Sequence, residues 1–152
     1  MAHIRVAVDA VIVQHGAILL IEYDDARFGR HFGLPGGGVE PNEPIPVAVC
    51  REVREETGAD VIVGPLLLVN EYHPERDGAT YDNGHELRLV FRCELRIGSE
   101  LGVPEQPDPD QIGVCWLPIE ALPTASLLPK IGARLFDLII SPSGQNLFNP
   151  DL

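Results

Sequence analysis

The sequence predicts a mixed α/β fold built around a β-sheet, and three observations lead to this prediction. Two β-rich runs at residues 4–13 and 17–23 are separated by turn residues. Residues 85–97 nearly alternate between apolar and polar side chains, as in a strand. Helical patterns occur at 43–57 and near the end of the chain. Because a helix does not follow each strand in turn, the regular alternation of a doubly wound parallel sheet is excluded.

Each strand follows from a local pattern. Gln14-His15-Gly16 separates the first two runs and predicts a hairpin. In the strand predicted at 85–97 one face is apolar, and the opposite face is polar except for Val90. Two more strands are expected at 60–72, interrupted by Gly64-Pro65, and at 112–117. Polar or glycine-rich stretches predict loops and turns at 24–31, 32–39, 74–84 and 98–110.

Two helices are predicted from their periodicity and their end signals. The first covers 43–57, with Asn42 as its N-cap and Gly58 as the residue that ends it. The second covers Leu127–Ile140, with Pro129 near its start. A chain of 152 residues has the length of one domain, so we expect a single domain over 1–152 with a polar tail at 141–152.

The charge balance excludes several classes of partner. The chain carries 23 acidic and 11 basic residues, a formal net charge of −12. Such a surface repels nucleic acids and anionic membranes, so neither partner is expected. The N-terminal apolar stretch is too short to span a membrane.

Three separated cysteines, Cys50, Cys93 and Cys115, favour reduced thiols and a cytoplasmic location. The sequence does not fix the oligomeric state, and a homodimer stays open.

Three glutamates of the first helix share one face. At about 100° per residue, Glu52, Glu55 and Glu56 fall within an arc of about 100° that continues the apolar seam of Ile45 and Ala48. One interpretation is a solvated face with ion pairs such as Arg51–Glu55. The other is a site for Mg²⁺ or Mn²⁺, because crowded carboxylates repel each other unless a cation lies among them. The position along the apolar seam favours the metal site.

The glycines before the helix fit the same chemistry. Gly36-Gly37-Gly38 allows close approach of the backbone to a metal or a phosphate, although a triple glycine is also typical of an ordinary flexible turn. No GK[ST] follows, so the segment is not a P-loop.

The spacing of these residues resembles a family signature. Gly37, five residues, Glu43, seven residues, Arg51-Glu52-Val53, one residue, Glu55-Glu56, one residue and Gly58 are similar to the signature of the Nudix (MutT-like) hydrolases. Ala59 departs from the large aliphatic residue usual at the next position, which affects packing rather than chemistry. Leu34-Pro35-Gly36-Gly37 and Cys115-Trp116-Leu117-Pro118 also resemble family sequences, and the similarity spans about residues 4 to 140.

The resemblance implies a fold, a reaction and a metal. The fold would be an α/β/α sandwich with a mixed sheet, in which the signature forms a loop–helix–loop. The reaction would be the Mg²⁺- or Mn²⁺-dependent hydrolysis of a nucleoside diphosphate linked to another moiety, by attack of water on phosphorus. Glu52, Glu55 and Glu56 would be metal ligands, together with the Gly37 carbonyl. Arg51 and Glu43 would orient that cluster.

The general base is left unassigned. Relatives often use an additional acid outside the signature, and the candidates are Glu86, Glu105, Asp108 and Asp110. Taken one at a time, each of them is better interpreted as a solvated acid of a loop. Many relatives carry an acidic pair before the tryptophan-containing strand, and this chain has Asp110-Gln111 there.

Residues that bind the substrate are predicted more weakly. Arg27, Arg30 and His31 precede the glycines and are candidates for contact with phosphate, as are the three glycines themselves and Arg88 and Arg92. Surface ion pairs are the alternative for each arginine. Five aromatic residues are candidates for base stacking or for the core: Phe28, Phe32, Tyr72, Tyr81 and Phe91.

We rank ADP-ribose-like and nucleotide-sugar substrates above nucleoside triphosphates, because the net charge disfavours long polyanions and Pro74 matches a proline of ADP-ribose-cleaving relatives. A nucleotide-binding or sensor module without turnover is the alternative function. The intact glutamate set argues against it.

Overall fold

A computed structural model describes residues 3–73 and 84–142. Its seven strands and two α-helices run in chain order as follows: β1 Arg5–Gln14, β2 Ala17–Asp25, β3 Gly29–Gly33, β4 Gly36–Gly38, α1 Ile45–Thr57, β5 Val61–Tyr72, β6 Glu86–Leu95, β7 Gln111–Pro118 and α2 Gly132–Ile140. A 3₁₀ helix, Ile119–Thr124, follows β7.

The sheet is mixed, and β1 lies at its centre. β1 pairs in parallel with β6 from Arg5↔Glu86 to Ile12↔Cys93, while β4 pairs antiparallel with β1. β5 pairs antiparallel with β6 and ends that side of the sheet. β2 joins β1 through the hairpin and pairs antiparallel with β3 and β7. This mixed pairing confirms the predicted fold class.

Helices cover both faces of the sheet, which explains why the central strands are buried on both sides. Val8, Ala10 and Ile12 of β1 share one core cluster with Ala48 and Val53 of α1. Val11 of the same strand faces the other way, into a second cluster with residues of α2 and the 3₁₀ helix. Residue alternation along β1 therefore separates the two cores and gives the three-layer α/β/α arrangement.

Several local predictions are wrong, and each has a physical reason. The stretch 24–31 is not all loop, because β3 starts at Gly29 and pairs with β2. Asn42 is not the N-cap: it has a positive φ of 63°, and the extended Pro44 precedes the first helical residue. β5 continues through Gly64-Pro65 as an edge strand with shifts of register, where a proline costs no ladder hydrogen bond.

The second helix begins at Gly132 rather than at Leu127. The backbone of this connection runs beside β3, where Phe32 N donates to Ser126 O at 2.8 Å and Leu128 N donates to Phe32 O at 2.9 Å. Because these bonds hold the segment extended, it cannot turn into a helix until it has passed β3. Gly58, with φ 71°, ends α1 as predicted. The proposed contacts of Pro74 and Tyr81 and most of the polar tail lie outside the described residues.

Candidate active site

Helix α1 directs its last glutamates toward the sheet. Ala48, Val49 and Val53 are buried against β1, and the same face continues with Glu52 and Glu56, whose residues are 8% and 1% exposed. A solvated face is therefore wrong for these two glutamates. Glu55 lies at the edge of this face, partly exposed.

Arg51 connects the carboxylates of the signature. Its Nε donates to Glu43 Oε1 at 2.6 Å, and its Nη1 donates to Glu52 Oε1 at 2.8 Å and to Glu55 Oε2 at 3.2 Å. Its Nη2 donates to the Gly38 carbonyl at 3.0 Å. The hydrogen bond from Arg51 lowers the pKa of Glu43, and the carboxylates in turn raise the pKa of Arg51. This cluster holds α1 to the glycine segment.

Glu56 is a buried carboxylate that is only half satisfied. Gly36 N donates to its Oε2 at 3.3 Å, while its Oε1 is buried and has no hydrogen-bond partner in the described structure. Burial, together with the negative charges of Asp108 and Glu52, raises the pKa of Glu56 to about 9. Burial also raises the pKa of Glu52 despite the opposing effect of Arg51. Glu52 thus has Arg51 as a cationic partner, whereas Glu56 has no such partner among the described residues.

The three glycines give room to charged side chains of the protein itself. A Cβ on Gly37 would lie 2.6 Å from the Glu52 carboxylate carbon, and one on Gly36 would meet the Val8 carbonyl and Asp9 Oδ1. On Gly38 it would meet the guanidinium of Arg5. These glycines form β4 and pair with β1, so a flexible turn is the wrong interpretation. Their lack of side chains lets the carboxylates approach the backbone.

A cavity of about 540 Å³ opens beside this cluster. Of the predicted site residues, it is lined by the three glycines, His31, Phe32, Glu52, Glu55, Arg88, Asp108 and Asp110. Glu56 lies directly behind Gly36, to which it is hydrogen-bonded. The connection before α2, including Leu127 and Pro129, forms an apolar part of the wall.

Arg27 and Arg30 do not line the cavity. The side chain of Arg30 is 84% exposed and lies 3.9 Å from Asp24. The guanidinium of Arg27 lies over the ring of Phe28, 5.2 Å from its centroid. The geometry therefore gives no support to a role for either in binding phosphate.

The four candidates for the additional acid separate clearly. Glu86 is fully buried and accepts hydrogen bonds from Arg5 Nη1 at 2.8 Å and Arg88 Nη1 at 2.7 Å. Glu105 is exposed and does not line the cavity. Asp108 and Asp110 both line it, and Tyr23 OH donates to Asp108 Oδ2 at 3.1 Å. The negative charge of Asp108 also raises the pKa of both Glu52 and Glu56.

Sequence reasoning missed several residues of the cavity, and Arg5, Asp9 and Tyr23 are among them. Asp9 is 2% exposed and accepts two hydrogen bonds from Arg88, at 2.8 and 2.7 Å. The available signal was a single acid within the apolar run Val6–Val13, since a buried charge needs a partner. Tyr23 stacks on His31 with 5.3 Å between ring centroids, a contact that no sequence pattern indicates.

The donor set fits a hard divalent cation. Glu52, Glu55 and Glu56 supply carboxylate oxygens, which are the ligands that such a cation prefers. The Oε1 of Glu56 has no partner in the described structure. The absence of a side chain at Gly37 leaves space against the carboxylate of Glu52. Across residues 3–73 and 84–142, no group of three or more His, Cys, Asp and Glu side chains is already gathered as a metal centre. Arg51 instead pairs with Glu52 and Glu55.

No described helix has the length and apolar character needed to cross a membrane.

Comparisons with known proteins agree with this geometry. Residues 3–138 match the family model of the NUDIX domain. The ADP-ribose pyrophosphatase of Methanocaldococcus jannaschii is 42% identical over 99 residues, which cover 65% of this chain and 55% of that protein. Nucleoside triphosphatase NudI of Escherichia coli O9:H4 (strain HS) is 43% identical over 111 residues, which cover 63% of this chain and 76% of that protein.

Solved structures share the fold. A NUDIX hydrolase from Nitrosomonas europaea matches with a TM-score of 0.76 at 22% identity, covering 92% of this chain and 90% of that one. A MutT NUDIX hydrolase from Burkholderia pseudomallei matches with a TM-score of 0.67 at 28% identity, covering 89% of this chain and 96% of that one. Since the family model spans nearly the whole chain and the signature residues form one cluster at the cavity, the chain belongs to the Nudix family of hydrolases.

Proposed function

We propose that the protein is a divalent-cation-dependent pyrophosphohydrolase that cleaves a nucleoside diphosphate linked to another moiety. The observation that carries the proposal is the buried carboxylate of Glu56, whose Oε1 has no partner in the described structure, beside Glu52 at the edge of the cavity. Burying such a group without a cation is costly, so its retention favours a function that supplies one.

The cation would be held by Glu52, Glu55 and Glu56, with the Gly37 carbonyl as a further ligand. When bound, Mg²⁺ or Mn²⁺ supplies positive charge that offsets the charge of the pyrophosphate. Arg51 holds the glutamates in place through its bonds to Glu43, Glu52 and Gly38.

In the proposed reaction a water oxygen forms a bond to one phosphorus, and the bond from that phosphorus to the bridging oxygen breaks. The products are a nucleoside monophosphate and the phosphorylated second moiety. We assign acceptance of the water proton to Asp108, which lines the same cavity as Glu52 and whose charge raises the pKa of Glu56. Tyr23 holds this carboxylate through its hydroxyl.

For the substrate, ADP-ribose-like and nucleotide-sugar compounds rank ahead of nucleoside triphosphates. The relatives include both an ADP-ribose pyrophosphatase and a nucleoside triphosphatase. The net charge of −12 disfavours long polyanions such as capped RNA. All three cysteines are free thiols, which favours a cytoplasmic location.

A substrate panel tests the proposal. ADP-ribose, nucleotide sugars, dinucleoside polyphosphates, nucleoside triphosphates and capped RNA are incubated with Mg²⁺ or Mn²⁺, and with EDTA as the control. We expect metal-dependent turnover, with kcat/KM highest for a diphosphate-linked compound. A triphosphate or capped RNA cleaved about tenfold better than every such compound overturns the ranking. Nucleotide binding without turnover of any compound overturns the proposal of an enzyme and supports the alternative of a nucleotide-binding module.

A further inference from the structure

Two arginines outside the signature face the candidate active site. Among the described residues that line the cavity, carboxylates outnumber guanidinium groups by six to two: Asp9, Asp25, Glu52, Glu55, Asp108 and Asp110 against Arg5 and Arg88. A polyphosphate entering this cavity meets net repulsion unless positive groups contact it directly. The two arginines are therefore the groups to consider beside the cation.

Arg88 is committed to the protein. Its guanidinium makes a bidentate contact with Asp9, and its Nη1 donates to Glu86 at 2.7 Å. Both carboxylates are buried, and the Arg88 side chain is itself only 12% exposed. Two negative charges thus offset its single positive charge, so Arg88 anchors the network rather than attracting an anion.

Arg5 is placed differently. Its Nη1 donates to Glu86 Oε1 at 2.8 Å, and its side chain remains 44% exposed. Glu86 is shared with Arg88, so it neutralises Arg5 only in part. Arg5 is consequently the cationic side chain of the described wall that keeps both solvent access and a fixed position.

The glycine segment fixes where this guanidinium lies. A Cβ on Gly38 would occupy the space of Nη2, Nε and Cζ of Arg5, so the guanidinium lies directly against the Gly38 backbone. Gly38 O accepts a hydrogen bond from Arg51, and the neighbouring Gly37 lies against the Glu52 carboxylate. Arg5 is therefore one residue along β4 from the glycine next to the proposed metal ligands.

We propose that Arg5 is a phosphate-binding residue of this cavity. It contacts a phosphate group of the nucleoside diphosphate derivative through the fork of its guanidinium, while Glu86 and Gly38 hold it in position. This inference rests on the proposed function and takes the place of the contact expected from Arg27 and Arg30.

The test compares Arg5→Ala with Arg96→Ala, which removes an exposed arginine that does not line the cavity. The probes are α,β-methylene ADP with Mg²⁺ in calorimetric titrations and the best substrate of the panel in steady-state kinetics. We expect Arg5→Ala to raise Kd and KM by about tenfold and to change kcat by less than about threefold, because ground-state binding is lost. Arg96→Ala should leave Kd and KM within about twofold.

Two further variants protect the test against misfolding of Arg5→Ala. Arg5→Lys keeps the charge without the fork and should give an intermediate Kd. Gly38→Ala keeps every charge but displaces the guanidinium, and should raise Kd as Arg5→Ala does. Equal Kd values for the Arg5 variants, Gly38→Ala and Arg96→Ala overturn the inference and leave the proposed function intact. A wild-type protein that neither binds nor hydrolyses any nucleotide overturns both.

Discussion

At the residue scale, the burial of Glu56 has a cost in stability that the proposed metal site would explain. Glu56 is fully buried, yet one of its oxygens lacks a partner in the described structure. A neutral amide costs less to bury than an unpaired carboxylate. The same change removes a proposed ligand of the cation.

We therefore expect Glu56→Gln to lower kcat by at least about 10²-fold, on the scale of other electrostatic deletions. Without metal, it should raise the melting temperature by about 2 °C or more. Melting in EDTA and steady-state kinetics with Mg²⁺ measure the two effects. Glu105→Gln, an exposed acid outside the cavity, is the control and should change neither. A large fall in melting temperature would mean that Glu56 is structural.

Two thiols should be chemically inert while the protein is folded. Burial raises the pKa of Cys93 to about 12, and burial together with Glu22 raises the pKa of Cys115 to about 11. Because the thiolate is the nucleophile, both groups react only after unfolding or at high pH. At pH 8, alkylation by iodoacetamide, followed by peptide mass spectrometry, should be at least about tenfold slower at both than in urea-unfolded protein. Equal rates would contradict these shifts.

At the scale of elements, the loop between β6 and β7, together with the first residue of β7, holds the end of α1. Gly102 N donates to Thr57 O at 3.0 Å, Gln106 N to Glu55 O at 2.9 Å, and Gln111 Nε2 to Glu56 O at 2.9 Å. These are carbonyls of the last helical turn, which have no partner inside a helix. The loop that carries Asp108 is thereby fixed to the backbone of the residues that carry the glutamates.

Gln111→Glu should disrupt this attachment, because a carboxylate cannot donate to the Glu56 carbonyl and adds charge beside it. We expect a loss of about 1–3 kcal/mol in the free energy of unfolding, measured by urea denaturation. Gln106→Ala is the matched control, since its hydrogen bond uses the backbone and survives the substitution. Equal midpoints for the two variants would show that the side-chain bond contributes nothing.

The same loop supplies the proposed base. Asp108→Asn should lower kcat by about 10²-fold or more, because it removes the proposed proton acceptor. The fold should stay intact, because the substitution does not change a side chain of the hydrophobic core. The Glu105→Gln variant again serves as control, since it changes an acid of the same loop that does not line the cavity. Retention of full kcat by Asp108→Asn would exclude it as the base.

At the scale of the whole molecule, a buried ionic network joins the sheet to the cavity. Arg88 pairs with Asp9 and Glu86 across the parallel strands β1 and β6, and Glu86 also pairs with Arg5. The carboxylates of Asp9 and Glu86 are almost fully buried, so the free energy of burying their charge depends on the pairing with Arg88.

Removing Arg88 should therefore destabilise the entire domain. We expect Arg88→Ala to cost about 3–5 kcal/mol of unfolding free energy, because it leaves buried charge without its partner. Urea denaturation measures this, and Arg96→Ala, which truncates an exposed arginine of the same segment, should cost less than about 0.5 kcal/mol. A small loss for both would mean that water replaces the missing partner.

The sequence by itself determined the family, the mixed sheet, the signature helix and the side of α1 on which the glutamates lie. These depend on local spacing: the 3.6-residue period places Glu52 and Glu56 on the apolar seam, and Gly58 can end the helix because glycine adopts a positive φ. The spacing from Gly37 to Gly58 is likewise contained within one segment of the chain.

Only the tertiary structure decided which distant residues complete the cavity. Arg5 and Glu86 meet because β1 and β6 pair in parallel, 81 positions apart in the chain. Asp108 reaches the glutamates because its loop bonds to the end of α1, while Arg27 and Arg30 remain outside the cavity. The start of the last helix was also decided by pairing with β3. Such contacts depend on strand register and loop path, which local patterns do not encode.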